Sequence, residues 1–206
     1  MLAAFERLMS KLYDWLNCHD PVCKSDVVFA LSGRRKRMLF AMELFSHGCT
    51  KSVLLSVGPY EIGWGLSNLP WPMPFEIPES ALSLRSTKDR LFISYEAGVI
   101  ALNEVEIGRF GTLSEIRALA RWLQCRPQVG SLLVVSSAPH LRRIRVCCGA
   151  LLPPGIHVRF LFVPGENPFL DRNRWWKNSR TRTAVISEIP KLLVYSTILR
   201  TKKESA

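Results

Sequence analysis

The sequence predicts an α/β protein: a mostly parallel central sheet with helices on both faces, an amphipathic helix in front and a helical tail behind. Three observations carry this. Short apolar, β-branched runs alternate with stretches of helical period. The strand–helix–strand unit over residues 26–57 has about the thirty-residue size of one βαβ unit. The 206 residues are 48% hydrophobic and 22% charged, which suits a single domain with its own core. We therefore read one domain, 1–206, with its core at about 26–200.

Each element has its own signal. Residues 2–17 read as an amphipathic helix, with Leu2, Phe5, Leu8, Met9, Leu12 and Leu16 on one stripe facing the core. Glu6, Arg7 and Lys11 interrupt any signal-peptide centre. A membrane-surface helix is the alternative. Asp26–Leu31 is a short buried strand, broken by Ser32-Gly33. A helix follows to about His47, with Met38, Ala41, Met42 and Phe45 inward and Gly48 as its C-terminal cap. Ser52–Val57 is a second strand, closed by Gly58-Pro59.

Residues 59–90 carry Pro59, Pro70, Pro72, Pro74 and Pro78 with Trp64 and Trp71 between them. They read as a long binding loop, or as an insertion covering the sheet edge. Residues 91–107 alternate about Ala97-Gly98, as a β-hairpin does, so the loop and hairpin form an insertion at about 59–110. Thr112 and Glu115 fit a capping box opening a helix over 111–125, with Leu113, Ile116, Ala120 and Leu123 buried. Ser131–Val135 is a strand, Pro139–Leu151 a helix and Ile156–Val163 a strand. The tail, 171–200, is helical by pattern, with Pro190 as the break.

Charge narrows the partners. Lys and Arg total 28 against 17 Asp and Glu, a net +11. That favours anionic partners: phosphorylated small molecules, nucleic acid or an anionic membrane surface. The clusters are RRKR at 34–37, RRIR at 142–145 and DRNRWWKNSRTR at 171–182. The last mixes aromatics with cations as single-strand binders do, although Trp175 and Trp176 could equally pin the tail to the core. Nucleic acid is therefore not the favoured partner. Six cysteines match no zinc spacing, and nothing in the pattern calls for a metal or other cofactor. Cys147 and Cys148, adjacent in a helix, read as reduced thiols of a reducing compartment. No apolar run reaches the ~18 residues of a membrane span. The expected place is cytoplasmic, with peripheral contact to an anionic inner membrane as an option.

In parallel α/β sheets, ligands bind beyond the carboxyl ends of the strands. Ser32, Gly33 and Arg37 follow the first strand, Ser56 the second, and Ser136, Ser137, His140 and Arg143 the strand at 131–135. Gly33 would admit a ligand to the backbone where the next helix offers free N–H groups. Arg37 could fork onto a phosphate or carboxylate. His140 and Arg143 share one helix face, a pairing suited to binding and protonating a phosphorylated group. The blander alternatives are that Ser136 and Ser137 only cap the helix, that His140 is structural, that Glu115 is a cap, and that Arg142 and Arg145 are solvated.

The order DVVFALSG…R…A…LF…G, then a strand ending in Ser-x-Gly, a Thr-led helix with Glu, and VVSSAPHLRR resembles the YdcF/SanA/ElyC-like family of unknown function. Gly33, Arg37, Ala41 and Gly48 match its first block, His140 and Arg143 its last, and Glu188-x-x-Lys191 to Tyr195 its closing helix. The chain departs from the family in a reduced glycine turn, Ser32-Gly33, and in Ser114 where a carboxylate or its neighbour is common. The resemblance implies a Rossmann-like three-layer fold and, through several relatives, a link to cell-envelope metabolism. It implies no established reaction. The expectation is a protein that binds, and as an enzyme hydrolyses or transfers, a phosphorylated nucleotide-like or lipid-linked substrate. The alternatives are a non-catalytic binder of an anionic nucleotide-like ligand and a basic nucleic-acid or membrane-surface binder.

Overall fold

The computed structural model describes residues 2–62, 66–76, 89–108, 110–167 and 170–203. Six strands form one sheet: β1 (Ser25–Ala30), β2 (Thr50–Val57), β3 (Asp89–Glu96), β4 (Val99–Glu106), β5 (Ser131–Ser136) and β6 (His157–Phe162). Their spatial order is β4-β3-β2-β1-β5-β6. β2, β1, β5 and β6 run parallel, while β3 and β4 form an antiparallel hairpin on the β2 side. Ala97 and Gly98, with φ of 50° and 82°, make the hairpin turn. Two successive positive φ values match the twist of the flanking strands.

The helices are α1 (Leu2–Leu16), α2 (Arg35–Ser46), the single turn α3 (Pro59–Ile62), α4 (Gly111–Gln124), α5 (Leu141–Leu151), α6 (Ser179–Ile186) and α7 (Glu188–Lys203). Two cores lie on opposite faces of the sheet. Val28, Ala30, Val53 and Leu55 pack with Met38, Ala41 and Met42 of α2. Val27, Phe29, Leu132 and Val134 pack with Leu113, Ile116, Leu141 and Ile144 of α4 and α5. The alternation of odd and even strand residues between the faces is the period-two geometry of a strand.

This topology positions the site. The chain leaves β1 toward β2 on one side and arrives at β5 on the other. The crevice beyond Ala30 and Ser136 is therefore a topological switch point, where α/β sheets bind ligands.

Three expectations change in detail. The tail breaks at Ser187, between α6 and α7, and Pro190 sits inside the first turn of α7. A proline is tolerated there because first-turn N–H groups have no intrahelical acceptor. The α1 stripe is only partly inward: Leu16 and Tyr13 are buried, but Phe5 and Leu8 are 47% and 59% exposed. The helix instead docks by its C-terminal half on Trp175, Trp176 and Ala138. Finally, Arg145, although its side chain is 38% exposed, is also tied down: its Nη2 donates to the Cys18 carbonyl and to Asp20 Oδ2, both at 2.8 Å. Asp20 Oδ2 also accepts from the Phe160 N–H at 2.8 Å, so this linker satisfies part of the open edge of β6. Arg142 likewise bonds the Trp15 carbonyl at 2.8 Å and lies over that indole. Of the loop reading, Trp64 and Pro78 fall outside the described residues.

Candidate functional site

A cavity of about 360 Å³ opens beyond the carboxyl ends of β1 and β5. Of the eight residues expected to form a site, Ser32, Gly33, Arg37, Ser136, His140 and Arg143 line it. Ser56 and Ser137 do not; each instead holds a residue that does. Ser56 Oγ donates to Glu115 Oε1 at 2.5 Å, and Ser137 Oγ accepts from Arg37 Nη2 at 2.5 Å.

The two arginines are not free forks awaiting an anion. Arg37 donates from Nε to Glu166 Oε1 at 3.1 Å and from Nη1 to the Ser32 carbonyl at 2.6 Å. Arg143 grips Glu188 through Nε at 2.7 Å and Nη2 at 3.3 Å, and its Nη1 donates to Thr112 Oγ1. A guanidinium this deeply buried requires a carboxylate, because desolvation would otherwise outweigh its interactions. Each keeps donors beyond these bonds and borders the cavity, so both can still reach a ligand. Arg34 is the more available cation: its side chain is 50% exposed, 3.6 Å from Glu166, and it lines the same cavity.

The backbone cradle expected at Ser32-Gly33 is also occupied. The Gly33 N–H donates to Glu61 Oε1, the Gly58 N–H to Glu61 Oε2 at 2.9 Å, and the Ser32 N–H to Glu115 Oε1 at 3.2 Å. Gly33 has φ of 116°, a conformation open to glycine alone. At Gly58 a Cβ would come within 2.7 Å of Arg90 Nη1, so the guanidinium of the neighbouring strand needs that bare backbone. The turn serves as an internal carboxylate site rather than an empty anion nest.

His140 is the residue the structure sets apart. It ends a 3₁₀ turn, Ala138–His140, that carries Pro139, and α5 begins at the next residue. Its Nδ1 lies 3.1 Å from Glu188 Oε1 and 3.5 Å from Arg143 Nη2. The nearer carboxylate decides the tautomer. Nδ1 carries the proton and donates it to Glu188, leaving Nε2 with its lone pair. Among the described residues Nε2 has no hydrogen-bond partner, and the ring borders the cavity. Burial pushes the His140 pKa below the usual histidine value, and Glu188 only partly offsets this. Burial alone would raise Glu188, but hydrogen bonds from His140 and then Arg143 outweigh it and hold the carboxyl far below the usual range. Its position as the first residue of α7 adds the favourable field of a helix N-terminus. Glu188 is thus a fixed anion at neutral pH, and His140 a neutral base.

Glu115 departs from the expected capping box. The helix cap falls at Phe110 without a side-chain bond, Thr112 is turned to Arg143, and Ser114 Oγ accepts from the Gly108 N–H at 3.1 Å. The Glu115 carboxylate reaches across to the ends of β1 and β2 instead. Its Oε1 takes both the Ser32 and Ser56 bonds, and its Oε2 accepts none among the described residues. Glu115 lines the cavity with His140. The chemistry available is a histidine base fixed by one carboxylate, a second carboxylate across the pocket, and guanidinium groups around both.

Glu61, Glu166 and Glu188 are the residues that sequence reasoning did not place here. Their partners lie 28, 129 and 45 positions away along the chain. Local pattern carries no trace of such pairs. The arginines themselves were the signal, since a buried arginine demands a partner somewhere.

The basic tail is not a stacking platform. Trp175 and Trp176 are buried beneath α1, with Thr181 Oγ1 donating to the Trp175 carbonyl at 2.6 Å. All six cysteines are free thiols, and burial pushes Cys147 up to about 12. Among the described residues no helix is long and apolar enough to cross a membrane, and no cluster of three or more metal-binding side chains forms. Comparison with family models, curated proteins and solved structures returns no match for this chain.

Proposed function

We propose that the chain is an enzyme that binds a phosphorylated substrate in the cavity beyond β1 and β5 and acts on it through His140. The observation that carries this is the His140–Glu188 pair: a neutral imidazole with Nδ1 held by a carboxylate and Nε2 unpartnered beside a guanidinium-lined pocket. That is the arrangement of a general base fixed in orientation by a second residue.

For hydrolysis of a phosphate ester, a water oxygen forms the new bond to phosphorus and its proton passes to His140 Nε2. The ester P–O bond breaks with its electron pair on the departing oxygen, which takes the proton back from the imidazolium. Arg34, with the remaining donors of Arg37 and Arg143, stabilises the phosphoryl oxygens as charge builds. The resemblance to the YdcF/SanA/ElyC-like family supports a nucleotide-like or lipid-linked substrate of cell-envelope metabolism.

The test is a thermal-shift panel of inorganic phosphate, nucleotides, sugar phosphates and prenyl phosphates, followed by product detection with the class that binds. Wild type and His140→Ala should both show a shift of several degrees. Turnover should fall by about 10²–10⁴-fold in the variant. Equal turnover in the two proteins contradicts the mechanism. A shift with no product from either leaves a non-catalytic binder of the same ligand.

A further inference from the structure

A second, larger cavity of about 600 Å³ adjoins the first. The two share Gly111, Thr112 and Arg143 as a common wall. Their linings differ in kind. Beyond the shared wall, the larger one is formed by Phe110, Pro190, Val194 and Tyr195, with Ser187 and Lys191 at its edge. The Arg143 guanidinium, which forks onto Glu188, also lies 5.2 Å from the centre of the Tyr195 ring.

We infer that the ligand is an amphiphile, whose phosphorylated head sits beside His140 and whose single hydrocarbon chain runs over the shared wall into the apolar groove. This rests on the reading of the smaller cavity as a phosphoryl site. Three observations choose the occupant. The groove is continuous with that site through Arg143 and Thr112, so one molecule can fill both. Three of its polar side chains are already engaged: Thr112 accepts from Arg143, Ser187 Oγ donates to the Ala184 carbonyl at 3.2 Å, and Lys191 Nζ bonds Glu188 at 2.9 Å. The rest of the lining is dominated by Phe110, Pro190, Val194 and the Tyr195 ring, surface that a hydrocarbon fills without needing a hydrogen-bond partner. The groove is also open to solvent on an apolar side, since Val194, which lines it, is 46% exposed. An open apolar lip accommodates chains longer than the groove.

Calorimetric titration of the full chain with ethyl phosphate, octyl phosphate and octanol, all below micellar concentrations, tests this. Each buried methylene strengthens binding by about fourfold, so octyl phosphate, with about six more methylenes than ethyl phosphate, should bind about 100-fold tighter when only about three or four of them are buried in the groove and more tightly still when all of them are. In Val194→Asp, a change on an exposed position, that ratio should collapse toward unity while the circular dichroism spectrum stays that of wild type. Equal binding of ethyl and octyl phosphate to wild type overturns the amphiphile and leaves the phosphoryl site standing. Octanol binding as tightly as octyl phosphate overturns the link between the two cavities. No binding of either phosphate overturns the phosphoryl reading and, with it, this inference.

Discussion

The two ends of the parallel sheet both carry a buried or half-buried carboxylate cluster, and they are finished differently. At the amino end, Asp26 Oδ1 takes Lys51 Nζ at 2.7 Å. Its Oδ2 takes the N–H groups of Gly130 and Ser131 at 3.0 Å each and the Ser131 hydroxyl at 2.8 Å. Both oxygens are engaged, and the result ties β1 to β2 and β5. At the carboxyl end, Glu188 and Glu115 are anchored as firmly, yet His140 Nε2 and Glu115 Oε2 are left over facing one cavity. Saturated polar groups hold a fold together, whereas unsaturated ones beside a cavity are where a protein does chemistry.

The largest effect should come from unpairing the carboxyl-end cluster. Glu188→Ala strands the buried Arg143 guanidinium, and urea denaturation should report a loss of about 3–5 kcal/mol. Replacing both partners, in Arg143→Met with Glu188→Leu, should recover most of that stability but no activity. Recovery of both would mean that the pair serves packing alone.

Asp26→Asn breaks the amino-end cluster and should cost about 1–2 kcal/mol near neutral pH, reduced because Lys51 is solvent-exposed. Its hydrogen bonds from Lys51 and then Ser131 hold the folded carboxyl at about 2, below its unfolded value. That stabilisation is present above the unfolded pKa and is lost as pH falls through about 2. The wild-type and variant denaturation midpoints should therefore converge at the acid end. Turnover should be unchanged, which separates the two ends of the sheet.

The smallest effect on stability should be that of His140→Ala, under ~1 kcal/mol, because Glu188 keeps Arg143 and Lys191 as counter-charges. Its effect on activity should be the largest of all. In wild type, the acid limb of kcat/KM should lie below the ordinary histidine pKa, since burial lowers His140. The sign for stability is the same: as pH falls below the unfolded histidine value, the unfolded chain takes up the proton first and the fold loses stability. Glu188→Gln removes the partner that raises His140, so the limb should move to still lower pH.

Much of this fold was readable because its signals are local. Runs such as Val27–Leu31, the glycine break at Gly33 and the Ala97-Gly98 turn each state their structure within a few residues. The position of the site followed from topology, since residues after parallel strands must gather at one edge. What each residue does there was less readable. Arg37 and Arg143 looked like ligand forks because their partners, Glu166 and Glu188, are remote in sequence. Glu115 looked like a cap because Thr112 stands three residues before it, and only the packing of α4 against the ends of β1 and β2 redirects both. The α1 stripe misled for a different reason: an apolar period says that a face exists, not that all of it is covered.

The most direct test needs no substrate. The four histidines can be followed by nitrogen-detected NMR of the imidazole rings across pH, with His140 assigned by its absence in His140→Gln. The account predicts a neutral Nδ1–H tautomer for His140, titrating below the usual histidine pKa, with Nε2 unprotonated at neutral pH. An Nε2–H tautomer, or a ring still protonated at neutral pH, would contradict the claim that Glu188 holds His140 as a base facing the cavity.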